Sequence, residues 1–86
     1  MIHTMKKIYV VYTFNDDSDN QEEFSVCALS SEEEAKKEVA RINEVYRKAT
    51  NLLGVASYIK ILEYLESQNV NEVCNKAGYY EVPFVD

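Results

Sequence analysis

Tryptophan is missing from this 86-residue chain, and glycine, proline, cysteine and histidine are scarce: two Gly, one Pro, two Cys and one His. With Gly54 and Gly78 alone, no G-x-G-x-x-G turn or P-loop can bring backbone N–H groups up to a phosphate. His3 sits in the first few residues, so a Cys-His or Ser-His pair would rest on a fraying terminus, which argues against nucleophilic catalysis and against an enzyme. Cys27 and Cys74 form no C-x-x-C pair and have apolar neighbours, so they read as buried free thiols rather than a disulfide. No apolar run approaches the roughly 18 residues of a membrane span. Lys6-Lys7 before Ile8–Phe14 lacks the long apolar region and small-residue cleavage site of a signal peptide, so the expectation is a soluble, cytoplasmic chain.

What is present is enough for one small core. At 47% hydrophobic residues, positions 1–86 read as a single domain, with Met1–Thr4 as a loosely held extension ahead of Met5-Lys6-Lys7. A chain this short buries only roughly 60–65% of its unfolded surface, so a second subunit or partner matters energetically.

The net charge of -6 is unevenly spread. No Lys or Arg occurs between Lys7 and Lys36, whereas Asp16, Asp17, Asp19, Glu22, Glu23, Glu32, Glu33 and Glu34 all fall there. A surface so charged does not bind nucleic acid directly, because counterion release needs clustered bases. It suits a partner with a basic surface, and it also serves solubility around a solvated loop. Asp17, Asp19 and Gln21 superficially resemble the start of a calcium loop. Glu22 replaces the turn glycine and Ala28 the closing bidentate Glu, so a metal site is not expected, nor is any cofactor.

Residues 8–14, IYVVYTF, read as a strand with Ile8, Val10, Tyr12 and Phe14 on one face and Tyr9, Val11 and Thr13 on the other. Asn15–Gln21 supplies a turn, and Glu22–Leu29 returns as a second strand with Phe24, Val26 and Ala28 facing one way. Ser31 with Glu34 three residues on is a capping box, and Ala35, Val39, Ile42, Tyr46 and Ala49 mark one face of a helix over about 31–50. Glu32–Lys36, Glu33–Lys37 and Glu44–Lys48 are favourable i,i+4 pairs on its outer face. SYIKILEYL over 57–65 suits a strand by its Ile and Tyr content, while Lys60, Glu63 and Ser67 also fit a helix; the strand is the preferred reading. Val70, Val73, Cys74 and Ala77 suggest a short helix over 68–77 with Gly78 as its C-cap, and Pro83 confines the extended C-terminal segment to an edge.

The expected fold is therefore α+β: a three- to four-stranded, mainly antiparallel sheet, ββαβ followed by a short helix and a C-terminal edge strand, with the long helix on one face. A right-handed crossover would set the third strand beside the first and leave the second at an edge. Among seven Tyr and three Phe, Tyr9, Tyr12, Tyr46 and Tyr58 read as half-buried core, and Tyr64, Tyr79, Tyr80 and Phe84 as shared between core and interface.

KKIYVVYTF, the acidic turn, EEFSVCAL, SSEEEAKKEVARI and YIKILEY, together about residues 5–66, have a layout that resembles small β-hairpin, helix, strand proteins of bacteriophages and mobile elements, including some anti-CRISPR inhibitors. The resemblance implies a non-enzymatic inhibitor, phage-encoded and acting in the host cytoplasm, that covers a basic surface of a larger nucleic-acid enzyme such as a CRISPR effector. No binding residue carries over by motif. The charge and aromatic patterns nominate Asp16, Asp17, Asp19, Glu22, Glu23, Glu32, Glu33, Tyr79 and Tyr80 as partner-binding residues. The rival is a bacterial accessory or self-associating domain. A homodimer is expected because the long helix can cover only one face of the first strand, leaving Tyr9 and Val11, with Cys27 and Leu29, in need of another cover.

Overall fold

The computed structural model describes residues 5–16 and 23–85. In chain order it contains β1 (Met5–Phe14), β2 (Glu23–Leu29), α1 (Glu32–Asn51), α2 (Tyr58–Ser67) and β3 (Lys76–Val85). The strands form one antiparallel sheet in the order β2-β1-β3, and α1 packs on it, which is an α+β layout. The extension expected at Met1–Thr4 lies outside the described residues.

The central strand earns its place by composition. β1 has β-branched and aromatic residues throughout and is paired on both sides, to β3 over ten positions from Met5↔Val85 to Phe14↔Lys76. Its pairing to β2 shifts register: Val11 faces Cys27, but Tyr12 faces Ser25, so Val26 is an extra residue in a bulge. Directly opposed residues share a face, so the bulge breaks the expected common facing of Phe24, Val26 and Ala28.

The long helix forms as its capping sequence dictates. The Ser31 hydroxyl accepts a hydrogen bond from Glu34 N at 3.3 Å, and three Glu occupy the first turn, where the helix dipole favours negative charge. Ala35, Ile42, Val45, Tyr46 and Ala49 are buried, and Val39 packs against them. On the outer face Glu32–Lys36 and Glu33–Lys37 pair as expected, whereas Glu44 turns to Arg47 instead of Lys48, because the guanidinium fork takes both carboxylate oxygens.

Three expectations for the second half are overturned. Residues 57–65 are not a strand but the N-cap and first part of α2. Ser57 caps it by accepting from Lys60 N at 3.3 Å, and Ile61 and Leu65, one turn apart, are buried against α1, while Tyr58 and Ile59, which favoured a strand, are exposed. Amphipathic spacing outweighs β-propensity here. Residues 68–77 are not a helix. Asn69 takes a left-handed φ of 55°, and the hydrogen bonds Asn69 N to Glu66 O and Val70 N to Leu65 O end α2 in a Schellman motif. Asn71 then accepts from Val73 N in a turn. Val70, Cys74 and Ala77 are still buried, reached by a loop rather than by helical repeat. Gly78 therefore caps nothing; it lies within β3.

The strand order matches expectation with a different occupant. The neighbour of β1 opposite β2 is the C-terminal segment, with Pro83 on an edge strand where its missing N–H is tolerated. The face of β1 that α1 covers also differs. Tyr9, Val11, Cys27 and Leu29 belong to the core side, with Val11 and Thr13 buried to within 1% of complete, so the uncovered face is the opposite one. Full burial of side chains such as Val11 and Ile42 stabilises by about 1.5–3 kcal/mol each. Cys27 and Cys74 are free thiols, half-buried and buried, as expected. No helix among the described residues is long and apolar enough to cross a membrane.

Candidate interaction surface

Alternation along β1 decides what the sheet offers to each side. The odd positions Tyr9, Val11 and Thr13 lie under α1. The even positions Ile8, Val10, Tyr12 and Phe14 face away from it. Their cross-strand partners extend that outer face: Val82 opposite Ile8, Ala28 and Tyr80 opposite Val10, Ser25 and Gly78 opposite Tyr12, and Glu23 and Lys76 opposite Phe14. Tyr12 stacks against Phe14 and Tyr80, each with ring centroids 5.6 Å apart. Tyr12 also lies over Gly78, where an added Cβ would stand 2.9 Å from its hydroxyl. Among the described residues no further layer covers this face; Tyr80 and Val82 are 46% and 38% exposed.

At the Phe14 end the sheet runs into the acidic connection between β1 and β2. Asp17, Asp19 and Glu22 lie outside the described residues. Asp16 is committed to structure: Lys76 Nζ approaches its carboxylate at 2.6 Å, Asn75 Nδ2 donates to it at 2.7 Å, and Asp16 N donates to Asn75 Oδ1 at 3.1 Å. Those contacts, Lys76 foremost, hold its carboxyl below the usual carboxylate range. Asn15 donates to Val73 O at 3.1 Å, so the hairpin root is tied to the loop before β3. Glu23 opens β2 and is exposed.

Glu32 and Glu33 do not join that cluster. α1 starts near the Leu29–Tyr9 pair, midway along β1, and Tyr79, whose hydroxyl donates to Glu32 at 3.4 Å, pairs with Val11. Tyr9 and Phe14 are five residues apart along β1, so the start of α1 and the hairpin end of the sheet are separated by about 17 Å. Glu32 and Glu33 are also compensated by Lys36 and Lys37, and α1 as a whole carries five acidic and five basic side chains.

The nominated tyrosines separate too. Tyr79 packs edge-on to Tyr9 at 6.2 Å on the core side, and Tyr80 belongs to the open face. Tyr46 is buried, and burial pushes its phenol up to about 12. Tyr9 and Tyr64 pack against the core; Tyr58, expected there, is 71% exposed at the start of α2, and the Phe84 side chain lies outside the described ones. Reasoning from sequence passed over Ile8, Val10, Tyr12, Phe14 and Val82 as surface residues; the signal was the two-sided apolarity of β1.

A cleft of about 500 Å³, open to solvent, is lined by Leu62, Glu66, Asn69, Val70, Asn71 and Glu72, a set without a nucleophile or imidazole. Among the described residues no group of three or more His, Cys, Asp or Glu is placed to hold a metal. No family model matches this chain, and no curated protein or solved structure does.

Proposed function

We propose that this chain is a non-enzymatic protein-binding inhibitor that presents its acidic hairpin to a basic surface of a larger nucleic-acid enzyme. One observation carries the reading: five carboxylates fall between Asp16 and Glu23 with no Lys or Arg among them, whereas the acidic residues of α1 are matched by bases on the same helix. Clustered like charge steers a complementary partner and competes with nucleic acid for the same cleft. The β-hairpin and long helix of the resembled layout, without its strand at 57–65, which is helical, are what supports a phage-encoded origin and a CRISPR effector or other nuclease as the partner.

The structural commitment of Asp16 narrows the variant that tests this reading. Reversing Asp17, Asp19, Glu22 and Glu23 to Lys, with Asp16 kept to hold Lys76 and Asn75, leaves the hairpin root intact. The wild-type protein should capture a nuclease from bacterial lysate and prevent that nuclease from retaining DNA in a gel shift, and the fourfold variant should do neither. Capture that is insensitive both to this variant and to ionic strength would remove the reading.

The second reading, a self-associating accessory domain, is favoured by a separate observation, the uncovered apolar face of the sheet.

A further inference from the structure

Most bases on this chain are paired internally. Lys7 and Lys76 are taken by carboxylates of β3 and the hairpin root, and Lys36, Lys37, Arg41 and Arg47 by glutamates of α1. Among the described side chains only Lys48 and Lys60 are left without an ion pair. They flank one connection, near the end of α1 and in the first turn of α2, and no charged residue lies between them in sequence. There too the large apolar side chains are most exposed: Leu53 62%, Val55 83%, Tyr58 71% and Ile59 67%. The turn projects into solvent, since Gly54 takes a left-handed φ of 81° and no atom stands within 4 Å of where its Cβ would be. Leu52 O accepts from Val55 N at 3.1 Å and from Ala56 N at 2.9 Å, so those donors can leave water already bonded. We infer that this turn enters the headgroup region of an acidic phospholipid bilayer, its apolar side chains inserted and Lys48 and Lys60 meeting lipid phosphates. The inference is independent of the hairpin reading and goes beyond it.

Charge and shape select the occupant. A second copy docked tip to tip sets the unpaired lysines against their own kind, and the basic protein surface proposed for the hairpin repels them as well. What complements the tip is negative at its surface and apolar beneath. A protein of that chemistry needs a cavity cut to four protruding side chains, whereas a bilayer takes a convex tip of any outline. Insertion by about 5–10 Å is the depth at which interfacial elements bury their apolar side chains. Lys48 lies one helical turn behind Leu52 and lines an open cleft with Leu52 and Tyr64, so its stem rests on apolar surface while its ammonium reaches phosphate level. Lys60 follows Ile59 directly, and Glu63, the next acid along α2, lies about a turn farther back. The net charge of -6 opposes approach to an anionic surface, but at about 0.15 M salt the screening length is about 8 Å, so only charges beside the tip act.

Co-sedimentation of the full chain with vesicles at about 0.15 M salt tests this. The wild-type chain should partition onto vesicles of three parts phosphatidylcholine to one part phosphatidylserine, and several-fold less onto phosphatidylcholine alone. Val55→Asp and Ile59→Asp, both at exposed positions, should each lower partitioning at least tenfold with circular dichroism unchanged. Lys48→Gln combined with Lys60→Gln should abolish the preference for phosphatidylserine. Val82→Thr, on the open face of the sheet, should change nothing. A wild-type chain that stays in the supernatant at millimolar lipid overturns the inference, as does partitioning that Val82→Thr lowers and Val55→Asp does not. A phosphatidylserine preference that survives the double lysine variant overturns the role given to Lys48 and Lys60. Vesicles ignored by a chain whose Val55→Asp variant loses nuclease capture would assign the tip to a protein and overturn the lipid. If Ile59→Asp fails to fold, Val55→Asp, in the turn itself, still decides.

Discussion

Asn43, in the middle of α1, grips Ala77 of β3 by both of its main-chain groups: Nδ2 donates to Ala77 O at 3.2 Å, and Oδ1 accepts from Ala77 N at 2.8 Å. A helix side chain thus stands in for the neighbouring strand that this sheet edge lacks. The two bonds point away from β1, so by alternation Pro83 presents its missing N–H to the same edge. Both features block strand addition there, which leaves the bulged β2 edge as the more open one.

Asn43→Ala should therefore destabilise the fold by about 1–3 kcal/mol, because two part-buried backbone groups lose their partner. The check is urea unfolding at neutral pH. Asn43→Asp keeps the acceptor for Ala77 N and loses the donor, so its midpoint should fall between those of wild type and Asn43→Ala.

Tyr12 and Gly78 are coupled across the β1–β3 pair. A methyl at position 78 meets the Tyr12 hydroxyl at 2.9 Å and its ring carbon Cζ at 3.1 Å, so the ring must swing away and lose its packing on Tyr80. Gly78→Ala should cost stability in the wild-type background and cost nothing, or stabilise slightly, when Tyr12 is already Ala, since alanine is otherwise the better strand residue. A double-mutant cycle should return a coupling of about 0.5–1.5 kcal/mol; additive effects would show that the ring finds an equivalent place.

These contacts mark how far the sequence can be read. The elements whose signals are local were legible: β1 and β2 from β-branched and aromatic content, and α1 from Ser31, Glu34 and the Ala35-to-Ala49 stripe. Legibility failed from residue 57 onward, where the deciding facts are tertiary. Ile61 and Leu65 gain burial only against α1, so 58–67 is helical despite its Ile and Tyr content. Val70, Cys74 and Ala77 have helical spacing and are buried, yet Asn69 and Asn71 turn the chain before a helix can form. The acidic cluster was visible in composition, but the placement of Glu32 and Glu33 away from Glu23 depends on the sheet register. The face covered by α1 could not be chosen from β1, which is apolar on both sides.

The Asp16 contacts make a titration prediction. Its carboxyl is held low by Lys76 first and Asn75 second, so the folded chain binds that proton less readily than the unfolded chain does. The stabilising contribution is therefore present above the ordinary value of 3.8 and is lost as pH falls through the lower folded value. A carbon-detected NMR titration should place the Asp16 midpoint below 3.8, and Lys76→Met should return it toward that value. An unchanged midpoint in Lys76→Met would assign the effect to Asn75 instead.

Tyr46 and Thr13 provide the last prediction, because they are buried polar groups in opposite situations. The Tyr46 hydroxyl donates to Asn71 O at 2.7 Å, fastening α1 to the loop that follows α2. Thr13, 1% exposed beneath α1, has its hydroxyl beside the Tyr46 phenol, whose ionised form it favours, but among the described residues no hydrogen bond of good geometry satisfies its oxygen. Tyr46→Phe should cost about 1–3 kcal/mol by leaving the Asn71 carbonyl unpaired, whereas Thr13→Val, of nearly equal volume, should stabilise by about 1 kcal/mol by removing a group that gains nothing from being buried. pH provides an independent readout for Tyr46. Burial raises its phenol from 10.0 to about 12, so the folded chain keeps a proton that the unfolded chain has released. Its contribution is full below pH 10 and disappears as pH rises to about 12. Unfolding midpoints should fall over that window in the wild type and in Thr13→Val, and fall less in Tyr46→Phe; equal alkaline loss in all three would assign it to other tyrosines.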